Sequence, residues 1–320
     1  LSFHAIMFDI CPQYCQVLAE YLPSESAGLS RIPMQHYFAA LEQGAKLNQD
    51  SLWGFELGKQ INSAQYGLLG YLVESSATLQ QALDALLAFD KTVADIGICQ
   101  FVADQEVASI TWQPYENNQH AILRNMTAWV AMVRHMTGQE LSPRRVEFNL
   151  VLTHSQRARL SSWYGCEVIA NATSNTIHFA AELLNMPILT RNELVNANLY
   201  PAIKDLQRAY ESNQSWFAKL QPSLHRCDLQ DMSLSGLAQL LGTSTRTLQR
   251  QLKYHGVSFS QLLEQERKRR FTQFCQVLHK QALSELLGYA EQASLNRAVK
   301  RWYGVSPSEY VRQQQKREGH

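Results

Sequence analysis

Nowhere does this chain hold an apolar run near the roughly 20 residues that a membrane-spanning helix needs, so no membrane partner is expected. It lacks a basic stretch ahead of its first apolar segment, which Asp9 interrupts, so no signal peptide is expected either. The chain begins with Leu1 in place of Met, which reads as a trimmed or processed start. Cysteine is sparse: Cys11, Cys15, Cys99, Cys166, Cys227 and Cys275 are scattered over 320 residues. That spacing argues against a disulfide framework and for reduced thiols in the cytoplasm. GxGxxG, P-loop and HExxH patterns are all missing, so no cofactor and no metal is expected. An apolar share of 45% with 18% charged residues is that of an ordinary globular protein, and the length suffices for two hydrophobic cores.

What is present is unevenly distributed. Residues 231–320 carry 14 Lys and Arg against 7 Asp and Glu, whereas residues 1–230 carry 15 against 21. The net charge of +1 therefore hides a basic tail on an acidic body, a split that points to nucleic acid as the tail's partner. The tail is also written twice. Leu237-Ala238-Gln239-Leu240-Leu241-Gly242 returns as Leu283-Ser284-Glu285-Leu286-Leu287-Gly288, and Gly256-Val257-Ser258 returns as Gly304-Val305-Ser306. Each copy reads as helix, glycine turn and second helix, which is the pattern of a helix-turn-helix.

The coarse reading is α+β: a mixed α/β sensing domain over 1–212, a linker over 213–228, and an all-α domain over 229–320 with two helix-turn-helix units joined by a long helix. Apolar spacing predicts helices over 33–47, 78–93 and 120–136. Strands are expected over 96–102, 107–112 and 146–152, and a hairpin from 166–170 and 176–179. Residues 183–210 read as helix interrupted at Pro187 and Pro201, and the polar stretch Glu211–Ser215 as the best linker. Asp228, Asp231 and Ser233 are cap candidates for the first repeat, and the joining helix is expected over 258–279.

In each repeat an i, i+4 apolar pair, Leu248 with Leu252 and Leu295 with Val299, would lock the second helix to its core. The residues between then face outward: Ser244, Thr245, Arg246, Thr247, Gln249, Arg250 and Lys253 in the first copy, and Gln292, Ser294, Asn296, Arg297, Lys300 and Arg301 in the second. Arg, Gln and Asn can bond base edges in pairs, while Ser, Thr and Lys suit phosphates. Two such helices would enter successive major grooves about 34 Å apart.

Residues from about Leu229 to Val311 resemble the DNA-binding domain of the AraC/XylS family of transcription regulators. The resemblance rests on Ser244 to Leu252, Gly256-Val257-Ser258-Phe259, Leu286-Leu287-Gly288-Tyr289, Asn296-Arg297-Ala298, Lys300-Arg301-Trp302 and Gly304 to Pro307. Three positions depart from that pattern: Leu295 stands for the usual Phe, Ser284 for Ala, and Lys280 for an apolar residue. They put more of the base reading on the first unit. Residues 15–200 resemble the arabinose-binding-type regulatory domain of the ornithine- and virulence-regulator branch, through Arg31-Ile32-Pro33, Gly67 to Gly70, Ser76 to Leu83, Pro143 to Phe148 and Ile177-His178-Phe179. Together they imply a regulator, more often activator than repressor, that binds promoter DNA under control of a small-molecule effector. A homodimer and contact with RNA polymerase are further family expectations.

Other chemistry is thinner. Cys11 with Cys15, Cys275 with His279, and His225 with Cys227 have ligand-like spacing without further partners, so packed thiols are the plainer reading. Cys166 lacks the flanking glycines of a nucleophile elbow. Trp53, Tyr71, Trp112, Tyr115 and Trp129 could wall an apolar pocket, and Arg31, Arg124 and Arg134 could meet an anionic effector or form surface ion pairs. An enzyme is not expected, since no convergent titratable set shows in 1–212. An enzyme-like first domain and an effector-free DNA-binding protein stay as the rival readings.

Overall fold

The computed structural model describes residues 9–230, 232–254 and 257–318. Asp231 and Gly256, named above as a cap candidate and the start of the first GVS, lie outside the described residues. Two compact units divide between Ser212 and Asn213.

The N-terminal unit is built on a mixed sheet of five strands: β1 (Gly97–Ala103), β2 (Val107–Pro114), β3 (Arg145–Glu147), β4 (Glu167–Ile169) and β5 (Asn175–Ala180). Their order across the sheet is β1-β2-β5-β3-β4. β1 and β2 form the expected antiparallel pair, turned where the Asp104 carboxylate accepts from the main-chain N–H of Glu106 and of Val107. The hairpin expected from 166–170 and 176–179 does not form. β3 lies between those two segments, pairing parallel to β4 and antiparallel to β5. The reason is the helical segment His154–Tyr164, which carries the chain from β3 back to run alongside it, as a parallel pair requires.

Helices cover this sheet in the order α1 (Met34–Asn48), α2 (Trp53–Lys59), α3 (Gly67–Glu74), α4 (Leu79–Val93), α5 (Gln119–Thr137) and α6 (His154–Tyr164). Their starts follow local chemistry. Thr78 accepts from Gln81 N, Asn118 accepts from Ala121 N, and Thr153 with Gln156 makes a capping box. α5 is buried on nearly every side, including Ile122, Leu123, Met126 and Ala128, and forms the spine of the core. Alternation along β2 and β5 puts Ile110, Trp112, Ile177 and Phe179 on one face, with Ile110 opposite Ile177.

Helix α7 (Glu193–Arg226) corrects two expectations: Pro201 does not interrupt it, and the presumed linker residues through Arg226 are helical. The C-terminal unit then runs α8 (Leu234–Leu240), α9 (Thr245–Tyr254), α10 (Phe259–Phe274), α11 (Lys280–Leu286), α12 (Gln292–Tyr303) and α13 (Pro307–Glu318). Ser233 caps α8, and Ser258 with Gln261 forms a capping box on α10, which ends a turn short of the expected His279.

Two separate clusters make the C-terminal core. Leu220, Leu224, Leu237, Leu248, Leu252 and Leu262 form one; Phe271, Leu283, Leu287, Leu295 and Val299 form the other. The repeat seen in the sequence is repeated in hydrogen bonds. Thr243 N donates to Ala238 O and Gly242 N to Gln239 O, just as Tyr289 N donates to Ser284 O and Gly288 N to Glu285 O. Gly242 and Gly288 turn the chain with φ of 62° and 70°. The departures are absorbed: Leu295 is fully buried, Lys280 is exposed, and the Ser284 hydroxyl donates to Tyr289 O.

Between the clusters sits a buried polar hub on α10. Glu266 is fully buried and accepts from Arg270 Nε and from Arg269. Arg270 also donates to Leu224 O, Cys227 O and Leu286 O, while Arg267 donates to Leu287 O. Replacing Arg270 with Met takes the buried arginine from Glu266, leaving it only the half-buried Arg269 and His225, and strips three carbonyls of their donor. A loss of about 3–5 kcal/mol in urea unfolding is expected, and a loss under about 1 kcal/mol would show that the hub is dispensable.

The two turn glycines should respond differently to alanine. A Cβ on Gly242 meets open space, whereas one on Gly288 would lie 2.4 Å from Leu229 O. Gly242→Ala is expected to cost about 1–2 kcal/mol from its left-handed backbone, and Gly288→Ala a further 1–3 kcal/mol or so from overpacking. Equal losses in parallel denaturant melts would contradict the seating of Leu229.

Candidate functional site

Each repeat turns its apolar pair inward and its polar residues outward. Leu248 and Leu252 on α9, and Leu295 and Val299 on α12, are buried. On α9, Thr245, Arg246, Gln249, Arg250 and Lys253 are exposed and Thr247 is half-buried; Ser244, just before it, is exposed and accepts from Thr247 N. On α12, Gln292, Asn296, Arg297, Lys300 and Arg301 are exposed and Ser294 is half-buried. Several are already engaged. Arg297 donates to the Ser294 hydroxyl at 3.0 Å, and Gln292 donates to Gln281. Arg301 pairs with Glu264 at 2.6 Å, a carboxylate that also accepts from Trp302 Nε1 and is held below its ordinary range by these donors. The first repeat thus presents a freer set of donors than the second.

The basic run Arg267–Arg270 contributes to the charge excess but belongs largely to the hub, with Arg270 buried and Arg269 bound to Glu266. The +7 balance therefore overstates the charge available to a phosphate backbone. Charge counting from the sequence does not separate a helix's buried arginine from its exposed one.

The N-terminal unit holds a pocket of about 150 Å³ between the β2–β5 face and helices α3, α4 and α5. Its walls include Leu69, Val73, Ala82, Leu83, Met132, Val133, Ile177 and Phe179. A smaller pocket of about 30 Å³, the side lobe, has Tyr66, Leu69, Leu86 and Trp129 as walls in common with it and adds Tyr14, Asp90, Trp112 and Asn125. Asp90 Oδ1 accepts from Lys91 N at 2.7 Å, and Asn125 Oδ1 accepts from the Tyr14 hydroxyl at 3.4 Å. Burial pushes the Asp90 carboxyl up to about 6, with the Lys91 amide and ammonium opposing and Asp95 adding to the rise.

Of the aromatics singled out in the sequence, Trp129 and Trp112 line this space. Trp53 packs edge-on against Tyr21, Tyr115 donates to Asp95, and Tyr71 is exposed. The stripes Leu79-Ala82-Leu83-Leu86 and Trp129-Met132-Val133-Met136 do show in the sequence, but periodicity alone cannot tell core from cavity wall. The three arginines serve the fold. Arg31 is a buried partner of Asp9 at 2.7 Å, and Arg124 lies 3.7 Å over the Tyr14 ring with its Nη2 donating to Tyr14 O. Arg134 donates to Leu141 O and Tyr164 O. Arg31 and Arg124 are thus drawn inward, while Arg134 also makes one of the surface ion pairs weighed above, with the exposed Glu140 at 3.7 Å.

The six cysteines are free thiols, and burial pushes Cys166 up to about 11 and Cys99 up to about 12. Such thiols are poor nucleophiles near neutral pH. Among the described residues no group of three or more His, Cys, Asp or Glu is placed to hold a metal, and no helix is long and apolar enough to cross a membrane.

A helical unit with two in-register helix-turn-helix copies, joined to an α/β unit with a pocket, has the architecture of a DNA-binding transcription regulator. The family described as "Arabinose-binding domain of AraC transcription regulator" matches residues 23–188, and a helix-turn-helix domain matches residues 237–313. The chain belongs to the AraC family of transcription regulators, with an arabinose-binding-type domain ahead of its DNA-binding domain.

It is similar to an HTH-type transcriptional regulator of Mycobacterium tuberculosis, 24% identical over 282 residues that cover 84% of this chain and 80% of that one. The ornithine utilization regulator of Pseudomonas aeruginosa is 24% identical over 263 residues, 80% of this chain and 77% of its own. VirS, an HTH-type transcriptional regulator of Mycobacterium tuberculosis, is 36% identical over 80 residues, 24% of each chain.

The raised Asp90 carboxyl has a sign that can be tested. Its folded value near 6 lies above the unfolded value of about 3.9, so the folded state holds the proton longer. Stability from this group is present below about pH 4, declines as pH rises to about 6, and is level above. Asp90→Asn removes that decline. The variant should therefore gain on the parent across pH 4–6 by on the order of 2 kcal/mol. Parallel stability curves for the two proteins would mean that Asp90 titrates as an ordinary carboxylate.

Proposed function

We propose that this regulator is controlled by a small molecule bound in its N-terminal unit, and that it reads promoter DNA with α9 and α12. The observation that carries effector control is the pocket: apolar walls with a few polar points, Tyr66 and Ser142 in the main lobe and Asp90 and Asn125 in the side lobe. Apolar walls with a few oriented polar groups suit recognition. A catalytic site would instead gather paired acid and base groups around the reacting atoms.

On the DNA side, Arg246, Gln249 and Arg250 are the base-reading set of the first repeat, and Asn296 with Arg297 that of the second. Ser244, Thr245, Thr247, Lys253, Gln292, Ser294, Lys300 and Arg301 contact phosphates. The exposure of these side chains opposite the buried Leu248, Leu252, Leu295 and Val299 supports the assignment. Arg301 must exchange Glu264 for phosphate on binding. Activation, a homodimer, contact with RNA polymerase and a cytoplasmic setting enter this reading from the family alone. The domain limits that go with it are a sensing domain over 1–212 and a DNA-binding domain over 229–320.

Fluorescence anisotropy on the promoter upstream of the regulator's own gene, or on operator DNA selected in vitro, tests the reading. Arg246→Ala and Arg250→Ala should each weaken specific binding by about 1–3 kcal/mol and relax sequence preference at one position. Lys253→Ala should weaken all sequences alike and reduce the salt slope by about one ion. Unchanged operator affinity for both arginine variants would remove α9 as the reading helix.

A further inference from the structure

We propose that the N-terminal pocket takes a small apolar molecule, of single-ring or short-chain size, with one hydrogen-bond-donating head and no carboxylate. The proposal rests on the effector reading above and gives that effector a chemical class.

Size comes first. A cavity of about 150 Å³ is large enough for a six-carbon ring. The side lobe of about 30 Å³ matches one head group. The walls come second. Val73, Leu83, Leu86, Trp129, Val133 and Phe179 are only half-buried although they line the pocket. A ligand that covered them would gain about 0.8 kcal/mol for each buried methylene.

The head group follows from the side lobe. Asp90 uses Oδ1 on Lys91 N, and among the described residues no hydrogen bond is made to its Oδ2. A hydroxyl or an ammonium on the ligand can donate there, and the Asn125 amide can donate back to a hydroxyl oxygen. Among the described residues no Lys, Arg or His lines either lobe. Arg124 adjoins Asn125 in sequence, but it is stacked on Tyr14 and lines neither lobe. A carboxylate would enter a low-dielectric space facing Asp90 without a counter-charge, an expensive burial. A pentose would bring more hydroxyls than the main lobe can bond, since its polar side chains among the described residues are Tyr66, Ser142 and Trp129. Ornithine carries the disfavoured carboxylate. The walls of this chain's pocket therefore set it apart both from the sugar in its family's description and from the amino acid in a relative's name.

Calorimetric titration of the full chain with benzyl alcohol, benzylamine, benzoate, arabinose and ornithine tests this. The alcohol and amine should bind at least about tenfold tighter than benzoate, with no heat from arabinose or ornithine. Ala82→Phe, which fills the main lobe, should weaken alcohol and amine by about tenfold or more; Asp90→Asn should weaken the amine by that factor and the alcohol only a few-fold. The proposal is overturned if benzoate, arabinose or ornithine binds best, if neither ring compound binds, or if both variants bind them like the parent. Promoter affinity measured in the same samples separates the two readings. Alcohol or amine binding without any change in DNA affinity upholds the ligand class and sinks effector control. A DNA response to benzoate, arabinose or ornithine alone upholds effector control and sinks the ligand class.

Discussion

The C-terminal unit depends on one buried ion pair, Glu266 with Arg270. Its two apolar clusters are separate, and apolar burial is non-directional, so neither cluster by itself would fix the two helix-turn-helix copies in one arrangement. The guanidinium of Arg270 reaches the last carbonyls of α7 and α11, groups that a helix end leaves without partners. Arg267 does the same for Leu287. A single turn of α10 therefore satisfies helix ends belonging to both copies. Buried polar networks of this kind define one arrangement, because any other leaves charges and carbonyls unpaired.

The parts of this design that are local in sequence were legible there. The doubled motif, the turn glycines, the Ser233 and Ser258 caps and the outward set on α9 and α12 all follow from spacing within a dozen residues. The hub was only partly legible: the i, i+4 spacing sets Glu266 beside Arg270, but only tertiary packing buries that pair while leaving Arg250 in solvent. The sheet failed for a related reason. Residues 166–170 and 176–179 are near neighbours in the chain, which favours a hairpin, yet β3 fits between them by a long-range parallel pairing. Pro201 reads as a break in the sequence, yet α7 continues through it. The pocket was half legible: Trp112 and Trp129 were named, but the void they border is a property of how helices and sheet meet.

Leaving that void open is itself costly, since unfilled apolar space forfeits dispersion contacts that a packed core would make. The lobe also keeps a carboxyl raised to about 6. Helix α4 contributes to both, through Ala82, Leu83 and Leu86 in the main lobe and Asp90 in the side lobe, and a ligand that fills the main lobe and donates to Asp90 would relieve both together. Two residues lining the side lobe, Ala94 and Ile96, flank Asp95, whose carboxylate accepts from Tyr115 and from Tyr210 on α7. Tyr210 belongs to the N-terminal core; further along the same helix, Leu220 and Leu224 belong to the first C-terminal cluster, and Leu224 O is an acceptor of Arg270. An effector-controlled regulator needs no more than a small bias between two states, because about 1.4 kcal/mol is already tenfold in DNA occupancy.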